Sequence, residues 1–440
     1  MLNNSLVLGI DLGTSGVRIA IINAEKKILF TSSTKYSKGL EISGDWINSL
    51  KTLIQEIPKD LKEKLVSCSV AGTSGTLLAC NRDGVPLGKA LPYFLPFSEY
   101  SYEIENLFTK ECAGSSVSGS VGRALKLLAL YGNEIILRHQ ADWISGWLIN
   151  NWEYGEEGNN IRMGWEISNS SWPENFQNLK WLKCLPKIIP SGQIMGNVCT
   201  KKANELSLPK NLQVIAGTTD SNAGVLATFP NKNDGITILG STIVIKKFVN
   251  KPLEGKGVSN HKLLGNWLSG GASNTGASIL LDFFNLEYIA ELSKQINPNK
   301  SSGLNLLPLS SQGERFPIDD PNLQPKLDPR PVSDSLYLHA LFEGLAKIEA
   351  KGWQKLNELG ADLPRQIITI GGGAKNITWK KIREREIGIP IKICNTPPAA
   401  GVASIALQGL SLSLIHISEP TRLLSIAYSG FGLKKNRGGG

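Results

Sequence analysis

Leu8 to Ile22 reads LGIDLGTSGVRIAII. Two apolar runs flank a Gly-Thr-Ser-Gly turn, and Asp11 closes the first run. Val17-Arg18-Ile19-Ala20-Ile21 alternates with period two, so the stretch predicts two strands joined by a tight turn. Small residues with free backbone N–H groups and hydroxyls suit a phosphate. A carboxylate at the mouth of such a loop repels phosphate unless Mg²⁺ lies between them, because the cation binds both kinds of oxygen. The simpler alternative is a hairpin turn capped by Asp11. Walker A and Rossmann loops need other glycine spacings followed by a helix, and DLGTSG fits neither.

Strand–glycine–strand and strand–glycine–helix units recur along the chain. VSCSVAGTSGTLLACNRDG at 67–84 is a second unit, ending in a turn at Asp83-Gly84. LQVIAGTTD ends a strand at Asp220, and SNAGVLAT opens a helix, which makes Asp220 either an N-cap or a base projecting from a rigid element. Gly240-Ser241-Thr242 lies between two apolar strands, as a plain hairpin turn or a second phosphate loop. IGGGAKNITW at 370–379 places three glycines after a strand, with a helix starting near Asn376 and Trp379 offering a stacking or packing surface. Trp46–Ile57 and the segment from Ser335 to Gly360 have helical spacing, RALKLLALYGNE and ADWISGWLIN read as helices, and 151–200 reads as mostly irregular. NWLSGGASNTGASILLDFF reads as strand, glycine turn and helix. Two similar α/β halves with a ligand between their glycine turns is the architecture this predicts.

A chain of 440 residues with 41% hydrophobic and 19% charged residues has room for two or three globular domains. It contains no apolar run of membrane-spanning length, and MLNNSLVLGID is too short and too quickly acidic for a signal peptide. The six cysteines lack CxxC or Cys/His pairing and read as reduced thiols of a cytoplasmic protein without structural zinc. The net charge of +9 is dispersed rather than interleaved with aromatics, which argues for weak attraction to anionic substrates and against a nucleic-acid partner. No membrane partner is expected either, and the chain is read as a monomer or homodimer.

The order DLGTSG, AGTTD, LGST, GGGAKNxxW resembles the FGGY carbohydrate kinases of the actin, Hsp70 and hexokinase superfamily, over roughly residues 5–410. GTSGTLLACNRDG, AGTTDSNAG, LGSTIV, GGASNTG, GERFPI and GGGAKN resemble most the short cyanobacterial and plant xylulokinase-like branch, whose members resemble D-ribulose kinases. The resemblance implies an α/β fold of two ribonuclease H-like domains around a central cleft. Residues 1–228, completed by a helix at about 399–411, would form the sugar side, and 229–398 the nucleotide side.

It also implies ATP and Mg²⁺ as cofactors and a ketose as substrate. Asp11 would lie between the Mg²⁺–phosphate group and the sugar, with Thr14 at the transferring phosphate. Asp220 would take the proton of the terminal hydroxyl, and Ser74 would help hold the ketose. Gly240 and Thr242 would line the second phosphate loop, and Gly372, Gly373, Asn376 and Trp379 the adenine pocket. The acceptor so implied is D-ribulose, with D-xylulose or another small polyol as the alternative, and an actin/Hsp70-like nucleotide-dependent switch protein as the alternative of another class. No histidine or cysteine is needed.

The chain departs from the family at three places. LPYFLPF, Leu91–Phe97, stands where larger members carry Trp-x-Asp-x-Arg near the sugar, and TPPAAGVA at 396–403 lacks a glutamate usual there. From Leu412 the sequence LSLIHISEPTRLLSIAYSGFGLKKNRGGG leaves the domain's pattern. Its first part is similar to the translation of a transposon-derived sequencing adapter. Residues 412–440 are therefore expected to be a non-native tail cutting a C-terminal helix short, the alternative being a natural basic tail, and His416 is assigned to no site.

Overall fold

The computed structural model describes residues 5–108 and 112–418, with side chains as far as Ser411; residues 419–440, most of the tail expected to be non-native, lie outside the described residues. Two six-stranded sheets organise the chain. In the first, Leu6–Leu12 pairs antiparallel with Gly16–Ile22, which pairs antiparallel with Ile28–Lys35. On its other side Leu6–Leu12 runs parallel to Leu65–Gly72, and that strand parallel to Gln213–Thr219. All seven residues of the central Leu6–Leu12 strand are buried, as a strand covered on both faces must be. The outer Ile28–Lys35 strand alternates between half-buried and exposed residues.

The second sheet repeats this plan. Asp234–Leu239 pairs antiparallel with Ile243–Val249, which pairs with Asn266–Ala272. Asp234–Leu239 also runs parallel to Gln366–Ile370, and that strand parallel to Ile391–Ile393. Each sheet adds one antiparallel edge strand to the shared five, Ile194–Asn197 in the first and Val258–Leu263 in the second. Three meander strands followed by two parallel ones, twice over, is the two-domain α/β fold expected.

Helices cover the sheets through large apolar side chains. Trp46 of the Ser43–Glu56 helix and Trp143 of Gln140–Ile149 meet edge to face, with ring centres 5.9 Å apart, in the core of the first half. The Asp334–Glu358 helix, capped where Ser333 Oγ accepts the Leu336 N–H, supplies Phe342 and Trp353 to the core of the second. The helix Pro398–Ser418 returns to the first sheet, and a third cluster joins Ala399, Ala403 and Ala406 to Val7, Ile215 and Ile236. Its approach is close: a Cβ on Gly9 would lie 1.9 Å from Ala399 O, and one on Gly401 2.2 Å from Ala223 O.

The structure adds one side sheet and corrects one local expectation. Leu77–Cys80, the second strand of its unit, lies outside the main sheet and pairs with Ile136–His139, a strand in the gap between the two segments read as helices. That strand lies between the Ser120–Tyr131 and Gln140–Ile149 helices and is too short to show alternation. GASILLDFF forms only a 3₁₀ turn, Ala277–Asp282, before a true helix at Leu286–Gln295. All six cysteines are unpaired.

Candidate active site

Parallel strands present their carboxyl ends to a common edge, where an open α/β sheet binds ligands. Asp11, the Gly72-Thr73-Ser74 turn and Asp220 follow or end three adjacent strands at that edge. Asp11 is 1% exposed, and its Oδ2 accepts from Arg18 Nη1 at 3.1 Å. Arg18 is its direct cross-strand partner, so the hairpin itself supplies the counter-charge. Burial pushes the Asp11 carboxyl up, against the pull of Arg18. Asp11 Oδ1 is buried without a hydrogen-bond partner among the described residues.

Asp220 is the first residue of the Asp220–Leu226 helix. The capping role falls to Thr219, whose Oγ1 accepts the Asn222 N–H at 3.4 Å. The Asp220 carboxylate is half-buried and takes the Ser221 N–H at 2.8 Å. Burial first, then the nearby Asp11 charge, pushes its pKa up to about 6, while the Ser221 and Ser74 backbone N–H groups pull it down. Asp11, Asp220 and Ser74 are thus brought together.

Thr14, at the exposed tip of the first hairpin, lies 3.3 Å from the Tyr93 hydroxyl. Tyr93 belongs to the LPYFLPF stretch, and buried Arg123 shapes that stretch by donating to the carbonyls of Pro92, Tyr93 and Leu95. Gln140 Oε1 accepts the Thr73 N–H at 3.0 Å, and Arg162 Nη1 donates to Ser74 O at 2.9 Å. Sequence reading missed Arg18, Tyr93, Arg123, Gln140 and Arg162. Only Arg18 carried a signal, because a turn at 13–16 sets residue 18 opposite residue 11.

A second site lies in the other half. A cleft of about 690 Å³ is lined by Gly240, Ser241, Gly372, Gly373, Asn376 and Trp379, with apolar walls from Leu239, Leu281 and Ile289. Gly371 turns into it with φ +100°, and a Cβ there would lie 2.6 Å from Leu239 O, so only glycine fits. Gly372 meets no neighbour within 4 Å of a Cβ position and leaves the cleft wall open to a ligand. Asn376 is committed to the protein: Oδ1 caps the Ile377–Ile387 helix at the Trp379 N–H, and Nδ2 donates to Ser293 Oγ. Trp379 is 1% exposed and stacks on Phe342 at 5.0 Å, which makes it a wall that packs rather than a free stacking face. Thr242 does not line the cleft; its carbonyl accepts the Gly240 N–H across the hairpin turn.

The Asp220–Leu226 helix connects the two sites. A Cβ on its Gly224 would touch Ile370 Cδ1 at 3.4 Å, and Ile370 ends the strand that leads into the triple glycine. Asp220 and the cleft are therefore mounted on elements in contact.

Two sheets of this duplicated topology define the actin- and hexokinase-type ATPase fold, which the chain shares with solved sugar kinases. The chain aligns with xylulose kinase of Rhodospirillum rubrum at TM-score 0.78 and 16% identity, over 91% of this chain and 89% of that one. It aligns with Plasmodium falciparum glycerol kinase, solved with ADP, at TM-score 0.77 and 15% identity, over 93% and 90%. Among characterised sequences, xylulose kinase of Staphylococcus epidermidis is 22% identical over 445 residues, 92% of this chain and 88% of that protein. The autoinducer-2 kinase of Yersinia enterocolitica is 19% identical over 468 residues, 94% and 88%. No protein-family model matches the chain.

Proposed function

We propose that the chain is an ATP-dependent sugar kinase that phosphorylates the terminal hydroxyl of a ketopentose, D-ribulose, with Asp220 as general base. The observation that carries this reading is the pairing of two carboxylates, Asp11 and Asp220, at one sheet edge, with Asp220 pushed up to about 6. A base of that strength is ionised at neutral pH yet basic enough to accept a hydroxyl proton as the oxygen attacks phosphorus. The hydroxyl oxygen gains the γ-phosphoryl group, its proton passes to Asp220, and ADP leaves.

In this reading residues 1–228 with the C-terminal helix bind the acceptor, and 229–398 bind the nucleotide. Ser74 and Asp11 hold the ketose, the turns at Thr14 and Gly240–Thr242 supply donors to phosphate, and the 690 Å³ cleft takes the adenine against Gly372 and Gly373. Asn376 and Trp379 shape that pocket. The orphaned, buried Oδ1 of Asp11 fits Mg²⁺, held directly or through water. When bound, the cation neutralises phosphate charge.

ADP release with MgATP across D-ribulose, D-xylulose, L-ribulose, glycerol and ribitol tests the proposal. D-ribulose should give the highest kcat/KM. A higher value for D-xylulose would favour the alternative acceptor to which the relatives' names point. ATP binding with no acceptor stimulating turnover would contradict the kinase reading in favour of a nucleotide-dependent switch.

A further inference from the structure

Two arginines beside the acceptor site direct their hydrogen bonds at backbone carbonyls. Arg123 is fully buried and, among the described residues, directs its guanidinium only at carbonyls, those of Pro92, Tyr93, Leu95, Ser118 and Gly119. Arg162 donates from Nη1 to Ser74 O at 2.9 Å and from Nη2 to Ser118 O at 2.5 Å. Neither forms an ion pair among the described residues. Burial penalises both cations, and the Asp220 charge offsets only part of that cost at Arg162, so their positions demand a reason beyond stability.

The shared Ser118 carbonyl supplies one. It joins Arg123, which shapes the Pro92–Leu95 stretch, to Arg162, which grips the Ser74 peptide. Gly75, at φ +100°, adopts a backbone conformation that side chains rarely take, and its Cβ position lies in ordinary contact, 3.4 Å, with Arg162 Cδ and Nη1. The Ser74 N–H, which belongs to the preceding Thr73–Ser74 peptide, faces the Asp220 carboxylate from the other side of the same residue. The charged and titratable groups around Arg162 are Asp220, Tyr93, Arg123 and His139.

We propose that Arg162 is a positioning residue for phosphoryl transfer: by holding the Ser74–Gly75 peptide it fixes residue Ser74 so that Ser74 and Asp220 meet the acceptor in one geometry. The inference rests on Asp220 being the base of a sugar kinase. A planar fork that binds two carbonyls from different segments holds both in register, whereas a lysine ammonium has donors enough but no fixed plane to set their geometry.

The test is steady-state kinetics of Arg162→Ala and Arg162→Lys with the best acceptor, with ATP affinity by calorimetry and thermal unfolding measured on the same samples. Arg162→Ala should lose about 100-fold in kcat, the order expected of an ångström-scale misplacement, with ATP Kd unchanged. Millimolar guanidinium should restore part of that loss, and Arg162→Lys should fall between wild type and Arg162→Ala. A kcat within about twofold of wild type in both variants overturns the proposal. So does a loss that guanidinium leaves untouched and that comes with weakened ATP binding and a lower Tm, which marks a merely structural role. Wild-type protein that no acceptor stimulates would instead remove the kinase reading itself, an outcome visible before any variant is made.

Discussion

Asp11 and Asp220 reach similar environments by different routes. Asp11 is paired with Arg18 inside a hairpin, whereas at Asp220 the Ser221 and Ser74 N–H groups, with a smaller pull from the Arg18 charge, oppose burial and the neighbouring Asp11 charge. A carboxyl with a raised pKa takes up its proton as pH falls, and a protonated base cannot accept another. The kcat/KM for the acceptor should therefore fall as pH drops through about 6, to about tenfold lower one unit below, as a pH–rate profile will report. Removing the cross-strand charge with Arg18→Ala leaves a buried carboxylate uncompensated. That variant should raise the apparent KM for Mg²⁺ and ATP without changing the order of preferred acceptors, as metal and nucleotide titrations will show. The Asp11–Arg18 pair was missed although the sequence carried it, since period-two alternation around a four-residue turn fixes the register. Tyr93, Gln140 and Arg162 were not legible, because each meets its partner across 67 to 88 residues of sequence from segments without a repeating pattern.

At the scale of elements, glycines set how closely the strands and helices approach. Gly371 has a backbone conformation that side chains rarely adopt and faces Leu239 O. Gly371→Ala should cost about 1–3 kcal/mol and raise the KM for ATP, because the strained turn forms the mouth of the cleft. Thermal unfolding and nucleotide titration together check both parts. Gly401→Val should destabilise by more than about 1–3 kcal/mol, since its side chain would strike the backbone of the Asp220–Leu226 helix, which cannot shift without moving Asp220. The triple glycine and the helix after it were readable from sequence as strand, turn and helix. The commitment of Asn376 to capping and of Trp379 to packing was not, because cap and core roles depend on Ser293 and Phe342, which are distant in the chain.

At the scale of the molecule, the first sheet is completed from the far end of the chain. Ala399, Ala400, Val402, Ala403, Ile405 and Ala406 are all fully buried in or beside the cluster that joins the two halves. A chain ending at Pro397 should lose near-UV circular dichroism and acceptor-stimulated turnover together, because it uncovers the core beneath Val7 and Ile215; native signal in that truncation would contradict the interdependence. The duplicated plan was legible in the recurring strand–glycine units. The small side sheet of Leu77–Cys80 and Ile136–His139 was not, since a four-residue strand between two helices carries too few residues to show a period. The central claim is that Asp220 takes the acceptor's proton, and single-turnover transfer from γ-labelled ATP to D-ribulose tests it most directly. Asp220→Asn should bind MgATP as wild type does and transfer at least about 100-fold more slowly, with wild-type label on the terminal oxygen; transfer at the wild-type rate by Asp220→Asn would contradict it.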